Sequence, residues 1–174
     1  DDYAYGSFGF ASSGDKPFIL RHQISDDEAG VLAEVEDTSI HFGGDGPESG
    51  MEALYQAATG AGYDQDCDGV YDATTDVLPF LAGETDPFTG TVDGTWDSEI
   101  TGGGTRGGMG FRADTLPIMV LITDNYLRDP DAGFSSPGGC PGDATRTDVV
   151  SAMADLGARF VGIDAGSWGT PLDQ

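Results

Sequence analysis

The sequence predicts a single α/β domain over residues 1–174 whose later strands are parallel. Two short apolar runs, at 116–122 and 158–163, have the continuous hydrophobicity of buried strands in a parallel sheet. Between them, apolar residues recur at helical spacing from about Thr147, and a glycine follows. A strand, a helix and a second strand in this order form the unit from which parallel sheets are built. The side chains expected to face inward from this helix are Val149, Val150, Met153 and Leu156.

Two strands and a helix are predicted at the start of the chain. Aromatic and small residues alternate over 3–11, which is typical of a strand, and 18–24 is expected to pair with it across a turn. The sequence of residues 25–28 is that of a capping box, with acidic residues in the first helical turn. The helix that it opens is expected to pack through an apolar face formed by Val31, Leu32 and Val35.

A second helix and a long insertion follow a Gly-rich loop over 42–50. This helix is expected to end at Gly60 and to bury Met51, Leu54, Tyr55 and Ala58. Residues 61–110 carry almost no periodicity and are rich in Gly, Asp and Thr. A loop of this length in a compact domain generally has a function or a bound ion that orders it. We therefore expect 61–110 to be a loop-rich insertion.

The charge of the chain restricts its partners. Asp and Glu number 31 against 7 Lys and Arg, which gives a formal net charge of −24. Nucleic acid is not an expected partner, because phosphate contacts need Lys and Arg, and an anionic membrane would repel the chain. The sequence has no apolar run of about 18 residues, so direct membrane insertion is not expected. The acidity by itself also fits adaptation to high salt or to secretion.

Two cysteines, Cys67 and Cys140, lie in stretches rich in Gly, Asp and Pro. Neither belongs to a Cys-x-x-Cys pair, which argues against a zinc or thioredoxin-type site. A disulfide between them would close a long loop, and two free thiols are the alternative. A disulfide would indicate an oxidising location, either extracellular or at the cell surface.

The segment 64–76 has the spacing of a calcium-binding loop, with glycine at position 6. The residues at ligand positions 1, 3, 5, 7 and 9 are, in order, Asp64, Asp66, Asp68, Val70 through its carbonyl, and Asp72. Position 12, where a carboxylate is usual, is Thr75, and Asp76, one place later, is the carboxylate expected as the last ligand. The segment resembles the calcium loops of EF-hands, dockerins and thrombospondin repeats, and we expect it to bind Ca²⁺ and order the insertion. The alternative is an acidic turn held by the neighbouring disulfide.

Two further segments together resemble a known family. The loop Gly-x-Asp-x-Pro-Glu-x-Gly at 43–50 opens an amphipathic helix, and the later apolar run ends in Thr123-Asp124-Asn125. In this order, and with the helix end and strand over 155–163, they resemble the von Willebrand factor A domain, most closely the I-like domain of integrin β subunits. The resemblance covers residues 3 to about 165. It implies a Rossmann-like, doubly wound, mostly parallel sheet.

The resemblance also implies a divalent-cation site at the top of the sheet, with oxygen ligands from three loops. Glu48 would supply the carboxylate of the second loop and Asp124 that of the third, while Asp45 and the Pro47 carbonyl would belong to a neighbouring Ca²⁺ site. Mg²⁺ or Ca²⁺ would leave one position for an acidic side chain of a partner. The family's first metal loop, Asp-x-Ser-x-Ser, and its last helix and strand have no counterpart in this sequence. The domain is therefore expected to be incomplete at both ends, with its first strand and C-terminal elements outside this chain.

These features predict a non-enzymatic, secreted or cell-surface domain that binds a protein or extracellular-matrix partner near a divalent cation. The alternative is a structural subunit of a surface layer, filament or appendage, in which the chain assembles with itself and Ca²⁺ and the disulfide only stabilise it. A metal-dependent hydrolase is the least favoured reading, since the sequence offers no evident nucleophile–base pair and no His-rich metal cluster.

Overall fold

The computed structural model describes residues 17–38, 47–71, 76–77, 79, 100–134, 140 and 142–166. In chain order these residues form α1 (Glu28–Asp37), α2 (Gly50–Thr59), β1 (Ile118–Thr123), a single 3₁₀ turn (Pro130–Ala132), α3 (Arg146–Leu156) and β2 (Arg159–Asp164). The described part is thus a mixed helix and strand structure, in agreement with the predicted α/β class. The strand predicted over 3–11 lies outside it. Among the described helices, none has the length and apolar character needed to cross a membrane.

The two strands pair in parallel, as the sequence predicts. Ile118 lies opposite Arg159 and Thr123 lies opposite Asp164, so the register is continuous along both strands. Helix α3 provides the crossover that returns the chain to the start of the sheet. The carboxyl ends of both strands therefore meet at one edge, where the Ala165 amide donates to the Thr123 carbonyl at 2.8 Å.

The sheet does not have the two buried faces that the apolar runs predict. Met119 and Thr123 of β1 are buried, whereas side chains on the opposite face are between 44% and 65% exposed. The exposed side chains are Ile118, Val120 and Ile122 of β1 with Val161 and Ile163 of β2. Helices α2 and α3 share the core on the Met119 side, and no described helix packs against the other side. The expectation of burial on both faces is therefore wrong for these residues.

The core lies between α2, α3 and the inner face of β1. Its buried side chains on these elements are Met51, Leu54, Ala58, Met119, Val149, Met153 and Leu156. Six of the eight positions of α2 and α3 that were predicted to face inward are among them, and Tyr55 is half-buried beside them. Val150 is the exception at 61% exposed, because it lies about 100° around the helix from the buried Val149. Gly60 and Gly157 end the two helices in the left-handed conformation, as expected.

The region before α2 departs furthest from the prediction. Residues 18–24 follow an irregular path and form no strand. Asp27, rather than Ser25, caps α1, and its carboxylate accepts a hydrogen bond from the Gly30 amide at 3.0 Å. The predicted apolar face of α1 is exposed, at 43% for Val31, 56% for Leu32 and 65% for Val35. An apolar stripe is buried only where another element lies opposite it, and α1 makes no extensive contact with any described helix or strand.

A buried carboxylate, that of Glu52, joins α2 to the segment that leads into α3. Its Oε2 accepts a hydrogen bond from the Ala144 amide and its Oε1 accepts one from the Gln56 side chain, both at 2.6 Å. Gln56 also donates to the Gly62 carbonyl at 3.0 Å and accepts from the Gly62 amide at 2.8 Å. Glu52 is 3% exposed, and burial raises its pKa to about 7, although the hydrogen bonds from Gln56 and Ala144 oppose the shift.

The Glu52 carboxyl is expected to make stability depend on pH. The folded state holds this proton more tightly than the unfolded chain, so its contribution is full below the ordinary value of 4.5 and is lost as the pH rises toward 7. The loss amounts to about 3 kcal/mol. Urea unfolding of wild type and Glu52→Gln between about pH 5 and pH 8 should favour the variant progressively as the pH rises.

The matched control for this experiment is Glu36→Gln, which removes an exposed carboxylate from α1. The unfolding free energy of this variant should follow the wild-type pH dependence. Because Gln cannot accept both hydrogen bonds, Glu52→Gln also carries a constant penalty, and the change with pH is the informative quantity. A constant difference between wild type and Glu52→Gln across the range would contradict the assignment.

Candidate metal centre

Three carboxylates meet in the loop that follows α2. Asp64, Asp66 and Asp68 each place a carboxylate oxygen within 4.8 Å of those of the other two. Asp64 is buried, at 7% exposed, while Asp66 and Asp68 face solvent. Oxygen ligands converging in this way are those that Ca²⁺ and Mg²⁺ prefer. The group therefore has the composition of a site for a hard divalent cation that is reached from solvent.

Hydrogen bonds to these carboxylates explain why the chain curls around them. The Asp64 carboxylate accepts from the Cys67 amide at 2.8 Å and from the Gly69 amide at 3.0 Å. Asp66 accepts from the Asp68 amide at 3.2 Å, and Asp68 accepts from the Val70 amide at 2.7 Å. Each acid thus bonds to an amide two to five residues later, which is the local pattern that favours Asp over Glu.

The curl also requires unusual backbone conformations at two positions. Gly69, at loop position 6, has a φ of 81°, which glycine adopts without steric cost. Cys67 has a φ of 63°, in the left-handed region that other residues rarely enter. The disulfide to Cys140, with the two Cα atoms 5.3 Å apart, is positioned to hold this residue in place. The predicted Cys67–Cys140 pair is confirmed.

Two backbone pairings fasten the base of the loop. The Cys140 amide donates to the Asp64 carbonyl at 2.8 Å, beside the disulfide. Tyr63 and Val77 exchange amide hydrogen bonds of 2.7 Å and 3.0 Å across the open end of the loop. Both of these side chains are 1% exposed, so the loop rises from a buried base.

The electrostatics of the loop favour a cation. The Asp68 amide bond is the largest influence on the pKa of Asp66 and lowers it, but desolvation and the charges of Asp68, Asp76 and Asp64 together outweigh it. The pKa of Asp66 is therefore raised. Neighbouring negative charges oppose one another's ionisation, and a bound cation would relieve that repulsion.

The remaining predicted ligands of this loop lie in different surroundings. Val70 is 63% exposed, and its carbonyl as a ligand stays a prediction. Asp76, at loop position 13, is fully buried. Its Oδ1 accepts a hydrogen bond from the Gln65 amide at 2.8 Å, which links the two ends of the loop. Asp72 lies outside the described residues.

Glu48 and Asp124, two of the residues assigned through the family resemblance, lie at the carboxyl edge of the sheet. The backbone of Glu48 pairs with the segment that follows β1. Its amide donates to the Tyr126 carbonyl at 2.9 Å, and its carbonyl accepts from the Arg128 amide at 2.7 Å. Asp124, directly after β1, is exposed. Within the described part, neither residue joins a group of three potential metal ligands. Asp45 lies outside the described residues.

A further carboxylate at this edge was not predicted. Asp164 ends β2 in register with Thr123, and its Oδ1 accepts a hydrogen bond from the Gly166 amide at 2.8 Å. The sequence did carry a signal for it, since Asp164 follows the second apolar run as Asp124 follows the first. Because parallel strands end at the same edge, acids that follow both runs are expected on one side of the sheet.

Comparisons of the chain with protein-family models, with curated proteins and with solved structures found no match.

Removal of the disulfide is expected to destabilise the protein strongly. The bond spans 73 positions, and cross-links of this span contribute about 4 kcal/mol by restricting the unfolded chain. Urea unfolding of the full chain carrying Cys67→Ser and Cys140→Ser should show a loss of this order. Reducing agent should weaken the wild type equally and leave the double variant unchanged, since the chain has only 2 cysteines. An equal effect of reductant on both proteins would contradict this role.

Proposed function

We propose that the loop from Asp64 to Asp76 binds Ca²⁺ and that this chain is a calcium-stabilised, non-enzymatic interaction domain that acts outside the cell or at its surface. The observation that carries the proposal is the convergence of Asp64, Asp66 and Asp68 in a loop closed by a disulfide. The disulfide also supports an oxidising location. In this proposal the ion is structural, and it orders a surface that a protein or matrix partner binds.

Calcium is favoured over other metals by the chemistry of the donors. The three converging groups are carboxylates, with no cysteine thiolate or histidine among them, which disfavours zinc and copper. Ca²⁺ accepts irregular sets of six to eight oxygens, whereas Mg²⁺ requires near-octahedral geometry. A loop with two exposed carboxylates, completed by backbone carbonyls and water, suits the more tolerant ion.

We further propose that the domain is of the von Willebrand A type, with a Rossmann-like, doubly wound sheet and an adhesion site at its carboxyl edge. The parallel β1–α3–β2 unit supports this proposal, and so does the position of Glu48 beside the chain that follows β1. In this site Glu48 and Asp124 would bind Mg²⁺ or Ca²⁺, with Asp45 and the Pro47 carbonyl at a neighbouring Ca²⁺ site. Arg128 already donates to the Pro47 carbonyl at 3.2 Å, so a cation there would share that oxygen.

Calcium titration tests the loop directly. Isothermal titration calorimetry of the metal-free protein should show Ca²⁺ binding, and the melting temperature should rise with Ca²⁺ concentration. Ion at about 100 times the Kd would add about 2.7 kcal/mol to stability. Asp66→Asn combined with Asp68→Asn should remove the loop's share of both effects, because it removes two of the three converging carboxylates.

The control is Asp114→Asn combined with Asp155→Asn, which removes the same charge from exposed positions outside the loop. It should bind Ca²⁺ as the wild type does. Equal binding by the two double variants would show that the loop is not the site. A second class of binding, present with Mg²⁺ and lost in Asp124→Asn with Glu48→Gln, would favour the adhesion site at the sheet edge.

The second candidate function is a structural subunit that assembles with further copies of the chain. The observation that favours it is the exposed apolar face of the sheet, where Val120 and Ile122 are 55% and 65% exposed. Contiguous apolar surface of this kind is a frequent feature of protein interfaces.

Assembly through this face predicts concentration-dependent association in sedimentation velocity. Val120→Thr with Ile122→Thr should reduce the association, because the changes retain β-branched side chains and lower the apolar area. Val31→Thr with Val35→Thr on α1 is the matched control and should leave association unchanged. A chain that stays monomeric at every concentration would remove this candidate.

A further inference from the structure

A cavity of about 440 Å³ lies beside the metal loop, between α2 and the segment that leads into α3. Its volume falls within the range of small-ligand sites. The side chains that give it its character are three carboxylic acids and three tyrosines, namely Glu52, Asp143, Asp148, Tyr55, Tyr63 and Tyr71. Among the described residues that line it, none is Lys, Arg or His. The predicted metal ligands of the loop and of the sheet edge are not among the described residues that line it.

Two of the carboxylates are buried and held in fixed positions. Glu52 is 3% exposed and is fastened by the Ala144 amide and the Gln56 side chain. Asp143 is 9% exposed, and its Oδ1 accepts a hydrogen bond from the Tyr63 hydroxyl at 2.8 Å. Arg128 approaches the second oxygen of Asp143, with 3.8 Å between its Nε and Oδ2. The negative groups therefore need little reorganisation to receive a ligand.

The third carboxylate and the tyrosines complete the walls. Asp148 is fixed by the capping box of α3, where it accepts from the Thr145 amide and hydroxyl at 3.0 Å and 2.7 Å. Tyr71, in the second half of the metal loop, is 43% exposed and gives the cavity a wall that solvent reaches. Aromatic faces attract cations, and the attraction is stronger where the cation is shielded from water.

We propose that this cavity binds an organic cation, an ammonium or guanidinium group on a short aliphatic stem. The cation would form charge-assisted hydrogen bonds with the acids, and its stem would pack on the tyrosine rings. Such a group is carried by the basic side chains of peptides and by free small amines. The acids that would bind the cation lie outside the metal loop, which contributes only Tyr71 to the described lining of the cavity.

The binding should strengthen as the pH rises. Burial raises the pKa of Glu52 to about 7, so this carboxyl is partly protonated near neutrality. The charges of Asp143 and Asp148 add to the shift, and the other titratable groups around it are the three tyrosines and, behind Asp143, Arg128. A cation stabilises the ionised form of Glu52 and so competes with its proton. Affinity should therefore increase between about pH 5.5 and pH 8.5, and the increase should disappear in Glu52→Gln.

The experiment is a titration of the full chain, followed by NMR chemical shifts and calorimetry at a fixed Ca²⁺ concentration. The probes are N-acetyl-arginine amide and N-acetyl-lysine amide, with N-acetyl-citrulline amide as the neutral analogue of the same shape. The charged probes should bind at least tenfold more tightly than the neutral one. Methylguanidinium and butylamine, which lack a peptide backbone, distinguish the two sources of the cation. If they bind as tightly as the arginine and lysine amides, the ligand is a free amine. If they bind more weakly, the ligand is a basic side chain of a peptide.

Variants assign the binding to this cavity. Glu52→Gln and Tyr71→Leu should each weaken the charged probes at least fivefold, and Tyr71 is exposed enough for its replacement to leave the fold intact. Asp155→Asn removes an exposed charge from α3 outside the cavity and should bind as the wild type does. The Asp66→Asn, Asp68→Asn protein keeps all three acids of the cavity, so it should still bind the charged probes at least tenfold more tightly than the neutral one, which separates this site from the calcium loop. Equal binding of citrulline and arginine amides, or unchanged binding in both cavity variants, would overturn the proposal.

Discussion

The Glu52–Gln56 pair is the contact on which the arrangement of the candidate sites depends. Through these two side chains α2 is bonded to Gly62, just before the metal loop, and to Ala144, just before α3. The segments that contain Gly62 and Ala144 are therefore both positioned by hydrogen bonds to one turn of α2. A carboxyl group in this buried position costs free energy. Burial disfavours the ionised form of Glu52, whereas the hydrogen bonds from Gln56 and Ala144 favour it. The pair fixes the geometry of the region and also makes it sensitive to pH.

Repulsion among acids is the second constraint on the molecule. A formal charge of −24 on 174 residues is spread along the chain, yet it converges in the metal loop and around the cavity. The structure holds these acids together with backbone amides, a disulfide and the buried Arg128. In the proposed functions cations provide the remaining compensation, a metal ion at the loop and an organic cation in the cavity. The two sites would then be neighbours, each compensating a different group of acids.

The sequence predicts a residue's role correctly where that role is set by its near neighbours in the chain. The spacing of Asp64, Asp66 and Asp68 predicted their convergence because the loop is stabilised by bonds two to five residues long. Glycines at the ends of α2 and α3 were predicted for the same reason. The apolar stripe of α1 and the outer face of β1 are exposed, contrary to prediction, because their burial depends on elements distant in sequence. Glu52 gave no sign of its burial, since an acid at a first helical turn is ordinarily a surface residue.

The sequence by itself determined the parallel β1–α3–β2 unit, the helix ends and the spacing of the acidic loop, because hydrophobic period, glycine conformation and Asp hydrogen bonding act over short distances. Only the tertiary structure decided which apolar faces meet a partner, and that Glu52, Asp143 and three tyrosines surround one cavity. Those outcomes depend on segments separated by as many as 92 positions, as in the bond between Ala144 and Glu52. A local sequence pattern cannot predict such a contact, because it forms only when the distant segments pack together.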